Sequence, residues 1–307
     1  MKKLLIPFLL LLVMLISACG ANNEETTTSD TTETEEKSSE TITYQSENGP
    51  IEVPANPQRV IVLSTFAGNV KALDVNLVGV DSWSKMNPRY ELDGVEEVTD
   101  ESLEKIIELD PDLIIGLSTM KNVDKLSEIA PTVTFTYGKL DYLTQHLEIG
   151  KLLNKEKEAK IWIDDFKSRS QAAGEEIKAK IGEEATVSVI ENFDKQLYVF
   201  GDNWARGTEI LYQEMKLKMP EKVKEMALKD GYYAISPEVL NEYAGDYVIF
   251  SKNADTETSF QETQTYKNIP AVKNNQVFEV NAKEFYFNDP ITLEYQLEFI
   301  QKSFLTE

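Results

Sequence analysis

The sequence predicts an α/β protein built as two lobes joined by one long helix. Two observations carry this. Short apolar, β-branched runs alternate with helical stretches through most of the chain, the pattern of layered α/β folds. Residues 155–181, by contrast, hold no proline and one glycine, and Ala159, Ile163, Phe166, Ser170, Ala173, Ile177 and Ile181 recur there at steps of three and four among Lys, Glu, Asp and Arg. That spacing makes one amphipathic helix, about 40 Å long at 1.5 Å per residue. The competing reading is an ordinary surface helix of a single domain, and the length counts against it.

The elements follow in order. The first lobe, residues 46–154, opens on a strand at 51–53 and a turn between Pro54 and Pro57. Arg59-Val60-Ile61-Val62-Leu63 is a buried-type strand, apolar without a break from Val60 to Leu63. Further strands are expected at 77–80, 112–115 and 132–137, with helices at 67–73, 101–109 and 123–129. Asp100 is the candidate cap of the second of these helices. The second lobe, residues 182–307, has expected strands at 186–190, 196–200, 247–250 and 276–280, and helices at 207–215, 237–243 and 290–304. The similar order of elements suggests a structural duplication, although no repeat is visible in the letters.

The N-terminus has a separate logic. Lys2 and Lys3 precede an apolar run at 4–16, and Ser17, Ala18, Cys19 and Gly20 follow. This is the layout of a secretory signal over residues 1–18. The run is shorter than the roughly 20 residues a membrane span needs. Cys19 is the one cysteine of the chain, so no intramolecular disulfide can form. Ile16-Ser17-Ala18-Cys19 resembles the lipobox of bacterial lipoproteins, with Ile where Leu is usual. The resemblance implies lipidation of Cys19 and a tether to the outer face of the cell membrane. Residues 19–45 are rich in Thr, Ser, Glu, Asp and Asn, and are expected to be a disordered linker.

Composition narrows the function classes. The formal net charge is −22, which argues against nucleic acid and against a folded domain lying on anionic lipid. It also disfavours a highly anionic ligand unless local basic residues overrule it. The single histidine, His146, falls in an expected helix, where a surface or packing role outweighs metal ligation. No P-loop, Gly-x-Ser-x-Gly, His-Glu-x-x-His or EF-hand spacing is present, so nothing specific points to an enzyme or a resident metal.

Several stretches carry a further resemblance. Pro57-Gln58-Arg59-Val60-Ile61-Val62-Leu63 is one. Ser102-Leu103-Glu104-Lys105-Ile106 leading to Pro111-Asp112-Leu113-Ile114-Ile115 is another, and Tyr266-Lys267-Asn268-Ile269-Pro270-Ala271-Val272-Lys273-Asn274-Asn275-Gln276-Val277 a third. Over residues 50–304 the chain resembles the iron-siderophore-binding proteins of ABC importers. That resemblance implies two Rossmann-like lobes bridged by a rigid helix (a class III substrate-binding protein), with the ligand in the cleft between them. Gly201-Asp202-Asn203-Trp204-Ala205-Arg206-Gly207, Glu242-Tyr243-Ala244-Gly245-Asp246-Tyr247 and Asn288-Asp289-Pro290 are similar to the ferric hydroxamate-binding lipoproteins of Gram-positive bacteria. There the Trp and Arg of the first stretch meet the ligand, which on this chain implies Trp204 and Arg206. The resemblance departs at Ala205 and Thr208, where that subfamily often has glycine, and in the order of the last aromatic cluster.

The chemistry agrees with that implication. A ferric hydroxamate complex carries little net charge, exposes partly negative oxygens and is jacketed in methylene. It suits one cation aimed at the oxygens and aromatic walls around the rest. Arg206 offers a planar fork that keeps its proton. The aromatic candidates are Trp204, Tyr198, Phe200, Phe285, Tyr286, Phe287 and Tyr137, with Phe66 and Trp83 at strand ends, which face the crevice in open α/β sheets. Core packing competes for each. The resemblance also implies that Glu104 and Glu238 dock a permease, against a plain helix-dipole role. The expected protein is then a monomer with no cofactor, whose cargo is an Fe(III)–siderophore complex. Alternatives of the same fold are catecholate or citrate-type siderophores, haem and cobalamin, and a surface adhesion protein is the alternative of another class.

Overall fold

A computed structural model describes residues 40–306. Cys19, the expected signal peptide and most of the expected linker lie outside the described residues. The linker was expected to run to residue 45. The structure corrects this, because a strand, β1 (Thr41–Ser46), already pairs antiparallel with β2 (Gly49–Pro54). Thr41-Ile42-Thr43-Tyr44 alternates polar and apolar, so Ile42 and Tyr44 turn toward the lobe while the threonines face water. Tyr44 and Val53 from this hairpin are buried in the first core.

The first lobe continues through β3 (Val60–Val62), α1 (Ala67–Ala72), β4 (Leu77–Val80), α2 (Ser82–Met86), β5 (Glu96–Glu97), α3 (Leu103–Glu108), β6 (Leu113–Leu117), α4 (Val123–Ser127) and β7 (Thr132–Phe135). The strands form one parallel sheet in the order β5-β4-β3-β6-β7. The unbroken apolar runs of β3 and of β6 up to Gly116 are buried, as expected of strands covered on both faces. The order reverses at β3/β6, so a crevice opens beyond their carboxyl ends. Asp100 does not cap α3. Its carboxylate instead accepts from the backbone N–H groups of Lys121 (2.9 Å) and Asn122 (3.3 Å), tying the loop before α4.

After α5 (Tyr142–Leu152) comes α6 (Glu156–Ile181), the expected long helix, 26 residues in one piece. It buries Ala159, Phe166, Ser170, Ala173, Gly174 and Ile177. Gly174 is needed for close approach: a Cβ there would sit 2.6 Å from Met215 Cα. The second lobe follows with β8 (Val187–Phe193), β9 (Gln196–Phe200), α7 (Glu221–Ala227), β10 (Tyr232–Ile235), α8 (Leu240–Tyr243), β11 (Tyr247–Lys252), α9 (Gln264–Lys267), α10 (Pro270–Lys273), β12 (Val277–Asn281) and α11 (Pro290–Leu305). Its sheet runs β10-β9-β8-β11-β12. β8, β11 and β12 are parallel, while β9 runs antiparallel between β8 and β10, so the second lobe repeats the first only in part. The helix expected at 207–215 is a π-helix over Glu209–Glu214. Its i→i+5 winding includes the bond from Met215 N–H to the Ile210 carbonyl.

The lobes are joined by more than α6. Tyr90 is wholly buried and donates its hydroxyl to Asp289, which caps α11 by accepting from the N–H groups of Ile291 and Thr292. Gly68 of α1 packs against the same carboxylate so closely that any Cβ would overlap it. Phe287 lies 5.5 Å from the Tyr90 ring, and Ala282, Tyr286 and Phe287 all belong to the core of the first lobe.

Candidate ligand-binding cleft

A cavity of about 1050 Å³ opens between the lobes. The first lobe lines it with Thr65 and Phe66 after β3, Trp83 after β4 and Tyr137 after β7. α5 supplies Tyr142 and Gln145, and α6 supplies Lys167 and Gln171. The second lobe closes it with residues 202–206 after β9 and with Tyr286, Phe287 and Asn288 after β12. The contributions after β3, β4, β7 and β12 leave parallel strands at their carboxyl ends, where open sheets present ligand sites.

The turn carrying Trp204 and Arg206 is strained and heavily braced. Ala205, Arg206 and Gly207 have φ of 53°, 56° and 83°, three left-handed residues in a row. A non-glycine residue there costs about 1–2 kcal/mol. The braces are specific. Trp204 N–H donates to Thr208 Oγ1 (3.1 Å), Ala205 N–H to Glu209 Oε1 (2.9 Å) and Arg206 N–H to the Phe285 carbonyl (2.9 Å). Asn288 Nδ2 also donates to Glu209 Oε1, at 2.9 Å. Glu209 is buried, and burial raises its carboxyl pKa against the pull of these hydrogen bonds. The π winding that follows turns Glu209, Gln213 and Glu214 toward the cavity together.

Arg206 is held from behind by a residue that the sequence reading did not single out. Glu191, on β8 and buried, accepts from Arg206 Nη2 (3.1 Å) and Nε (3.3 Å), and from Ser251 Oγ (2.6 Å). The guanidinium lies 4.8 Å from the Tyr286 ring and 5.2 Å from the Phe200 ring. Trp204 stands 4.9 Å from Tyr232 and 6.5 Å from Tyr137. It packs on Gly231, where φ is +83° and a Cβ would come within 2.5 Å of Trp204 Cε3. Trp83 meets the Tyr286 ring edge-on at 5.4 Å. Burial raises the phenol pKa of both Tyr286 and Tyr137, with Glu191 adding to the shift at Tyr286 and Arg206 opposing it at both.

Trp204, Arg206, Tyr137, Tyr286, Phe287, Phe66 and Trp83 thus line one cavity. Three expected residues do not. Phe200 is buried beneath the Arg206 guanidinium, and Tyr198, on the same strand face, packs on Tyr232 at 5.9 Å. Phe285 is wholly buried against Tyr295 and Phe299, and only its carbonyl serves the turn. Arg206 is also not the lone cation of the lining, since Lys139, Lys167 and Lys216 belong to it. Lys139 pairs with Glu47 at 3.2 Å. His146 is buried beside Asn69 (3.1 Å) and Trp162, outside the cavity lining. Glu104 lies exposed in the first turn of α3. Glu238 lies exposed in a short 3₁₀ turn after β10, its carboxyl pKa lowered by a hydrogen bond from Ser236.

Among the described residues no cluster of His, Cys, Asp and Glu is arranged to hold a metal ion, and no helix is long and apolar enough to cross a membrane. Two α/β lobes, a continuous bridging helix and a polar–aromatic cleft between them define a two-lobed solute-binding protein. The chain belongs to the periplasmic binding protein family, whose model matches residues 60–284. It is similar to the iron(3+)-hydroxamate-binding protein FhuD of Bacillus subtilis (strain 168), with 38% identity over 276 residues and 87% of each chain covered. It is also similar to the iron(3+)-hydroxamate-binding protein YxeB of the same organism, with 36% identity over 86% of this chain and 85% of that one. Among solved structures it is similar to FhuD2 from Staphylococcus aureus with bound ferrioxamine B. There the TM-score is 0.76 and the identity 35%, covering 81% of this chain and 98% of that one.

Proposed function

We propose that this protein captures ferric hydroxamate siderophores outside the cell and passes them to an ABC permease for iron uptake, with no bond-making or redox step of its own. The observation that carries the reading is the Arg206 guanidinium set in an aromatic cleft, its charge offset from behind by Glu191. A cation so compensated suits the weakly charged oxygens of a hydroxamate complex better than the strong negative charge of a catecholate or citrate-type complex. Haem is disfavoured because no histidine lines the cleft and the Trp204–Arg206 turn is of the hydroxamate-binding type. The iron is cargo, wrapped by the siderophore. Trp204, Arg206, Tyr286, Trp83, Phe66, Phe287 and Tyr137 contact the complex, while Phe200, Phe285 and Tyr198 support the wall.

Cys19 carries the lipid that tethers the chain to the outer face of the membrane, and Glu104 and Glu238 dock the permease as a monomer approaches it. The test is intrinsic tryptophan fluorescence titrated with ferrichrome, ferrioxamine B, a ferric catecholate and haemin. Saturable quenching by the hydroxamates, lost in Trp204→Ala and Arg206→Ala, is expected. Saturation by the catecholate or haemin alone overturns the hydroxamate assignment, and saturation by none of them returns the adhesion reading. Docking is tested separately: Glu104→Ala and Glu238→Ala are expected to lower iron uptake by cells while leaving these titrations unchanged.

A further inference from the structure

We propose that Glu191 sets the charge preference of the cleft: it is a positioning residue that fixes the Arg206 fork and cancels its charge, so that neutral and cationic ferric hydroxamates are accepted ahead of anionic ones. This rests on the ferric hydroxamate reading above. Glu191 sits on β8 at the switch point of the second sheet, where β9 departs on one side and β11 on the other. It is 1% exposed. Both its oxygens are engaged: Oε1 by Arg206 Nη2 at 3.1 Å, and Oε2 by Arg206 Nε at 3.3 Å and Ser251 Oγ at 2.6 Å.

The consequence is geometric first. The Nε–Nη2 edge of the guanidinium faces the carboxylate, the Tyr286 and Phe200 rings flank the group, and Nη1 makes only a long contact of 3.5 Å with the Trp204 carbonyl. Nη1 and the second Nη2 hydrogen, on the edge turned away from the carboxylate, are therefore the donors left for a ligand. The consequence is also electrostatic. A ligand approaching Arg206 meets an ion pair, not a bare cation, and the pair gives a directed hydrogen bond with little net attraction for negative charge. A carboxylate buried this deeply costs stability unless its partner stays in place, so the pair is fixed before the ligand arrives.

The test compares three complexes whose iron is held alike: neutral ferrichrome, ferrioxamine B with its pendant ammonium, and N-succinylated ferrioxamine B, whose pendant group is a carboxylate. Wild type and Glu191→Gln are titrated by tryptophan fluorescence. Gln keeps an oxygen for Arg206 and an amide for Ser251 but removes the charge. The ratio of the succinylated complex's Kd to that of ferrioxamine B is expected to fall roughly five- to tenfold in Glu191→Gln, the size of a two-charge difference acting over about 10 Å in a wet cleft. Equal weakening of all three complexes would make Glu191 a structural brace alone and overturn the inference. Should Glu191→Gln not fold, the wild type decides: a succinylated complex bound as tightly as ferrioxamine B, or more tightly, overturns the inference, and weaker binding supports it. If the wild type binds none of the three, the ferric hydroxamate reading itself has failed.

Discussion

His146 is expected to make this fold acid-labile well above the range where most carboxylates protonate. Its ring is 1% exposed, contacts Asn69 Oδ1 through Nδ1 at 3.1 Å and meets Trp162 edge-on at 5.2 Å. Burial lowers its pKa from 6.5 to about 4. The depressed value means that the unfolded chain binds the proton more tightly than the folded one. The stability contributed by the neutral ring is therefore present above pH 6.5, declines as the pH falls toward 4, and is gone below it. At about 1.36 kcal/mol per pKa unit the full contribution is roughly 3 kcal/mol, of which about 2 kcal/mol is lost by pH 5. The assay is urea denaturation at pH 7.5 and pH 5 for wild type and His146→Gln, which keeps a polar group for Asn69 but does not titrate. Carboxylates contribute equally to both proteins, so the difference between the two pH dependences isolates the imidazole. A wild-type loss that exceeds the variant's by about 2 kcal/mol is expected. Parallel curves would refute the reasoning, because they would mean that the ring is hydrated or gains a partner when charged.

Gly231→Ala places a methyl against Trp204 on a left-handed backbone, so a stability loss of about 1–2 kcal/mol together with weaker ligand quenching is expected; unchanged affinity would remove Trp204 from the binding wall. Gly68→Ala drives a methyl into the buried Asp289 carboxylate, and about 3 kcal/mol or more of destabilisation by denaturant is expected, whereas a loss below about 1 kcal/mol would show that the lobe junction yields easily. Ala205→Gly relieves a left-handed alanine but loosens the unfolded chain, and a net change within about 1 kcal/mol is expected by thermal melting, with affinity retained. Cys19→Ser is expected to release the protein into the culture medium, read by immunoblot of cells against supernatant; retention on the cells would exclude the lipid tether.

The parts of the fold legible in the sequence are those whose signal is local. The apolar runs of β3 and β6 and the three-four spacing of α6 report burial directly. β1 was hidden because its alternating residues adjoin a long polar stretch and its partner strand lies across a turn. The π winding of Glu209–Glu214 cannot be told from an α-helix over six residues. At the cleft, Trp204 and Arg206 were legible through a motif, but Glu191 was not. Its partners are Arg206, fifteen residues on, and Ser251, sixty residues on, and only the folded sheet brings the three together. The usable sign was a carboxylate directly after the apolar Val189-Ile190 of a strand, which asks for a buried partner. Phe200 and Phe285 misled for the converse reason: an aromatic next to a binding motif packs behind it as readily as into it.

The joints between the lobes bear on how the cleft works. A receptor that closes on its ligand by a wide hinge needs a flexible connection and an interface that can part. Here the connection is an unbroken helix that meets the π-helix at backbone contact across Gly174. The interface buries Tyr90 and Asp289 in mutual hydrogen bonding, with Gly68 leaving no room to slide. Parting the lobes would break the Tyr90–Asp289 hydrogen bond and undo the packing of Gly68 and Phe287 around it. The ligand therefore meets a cleft that is already formed, and adaptation falls to the side chains of its exposed rim, Trp83 and Tyr137 foremost. Pre-formation also explains the expense of the Ala205-Arg206-Gly207 turn. Its left-handed backbone and the Glu191 and Glu209 braces are costs met once, on folding, so that binding has no donor left to arrange.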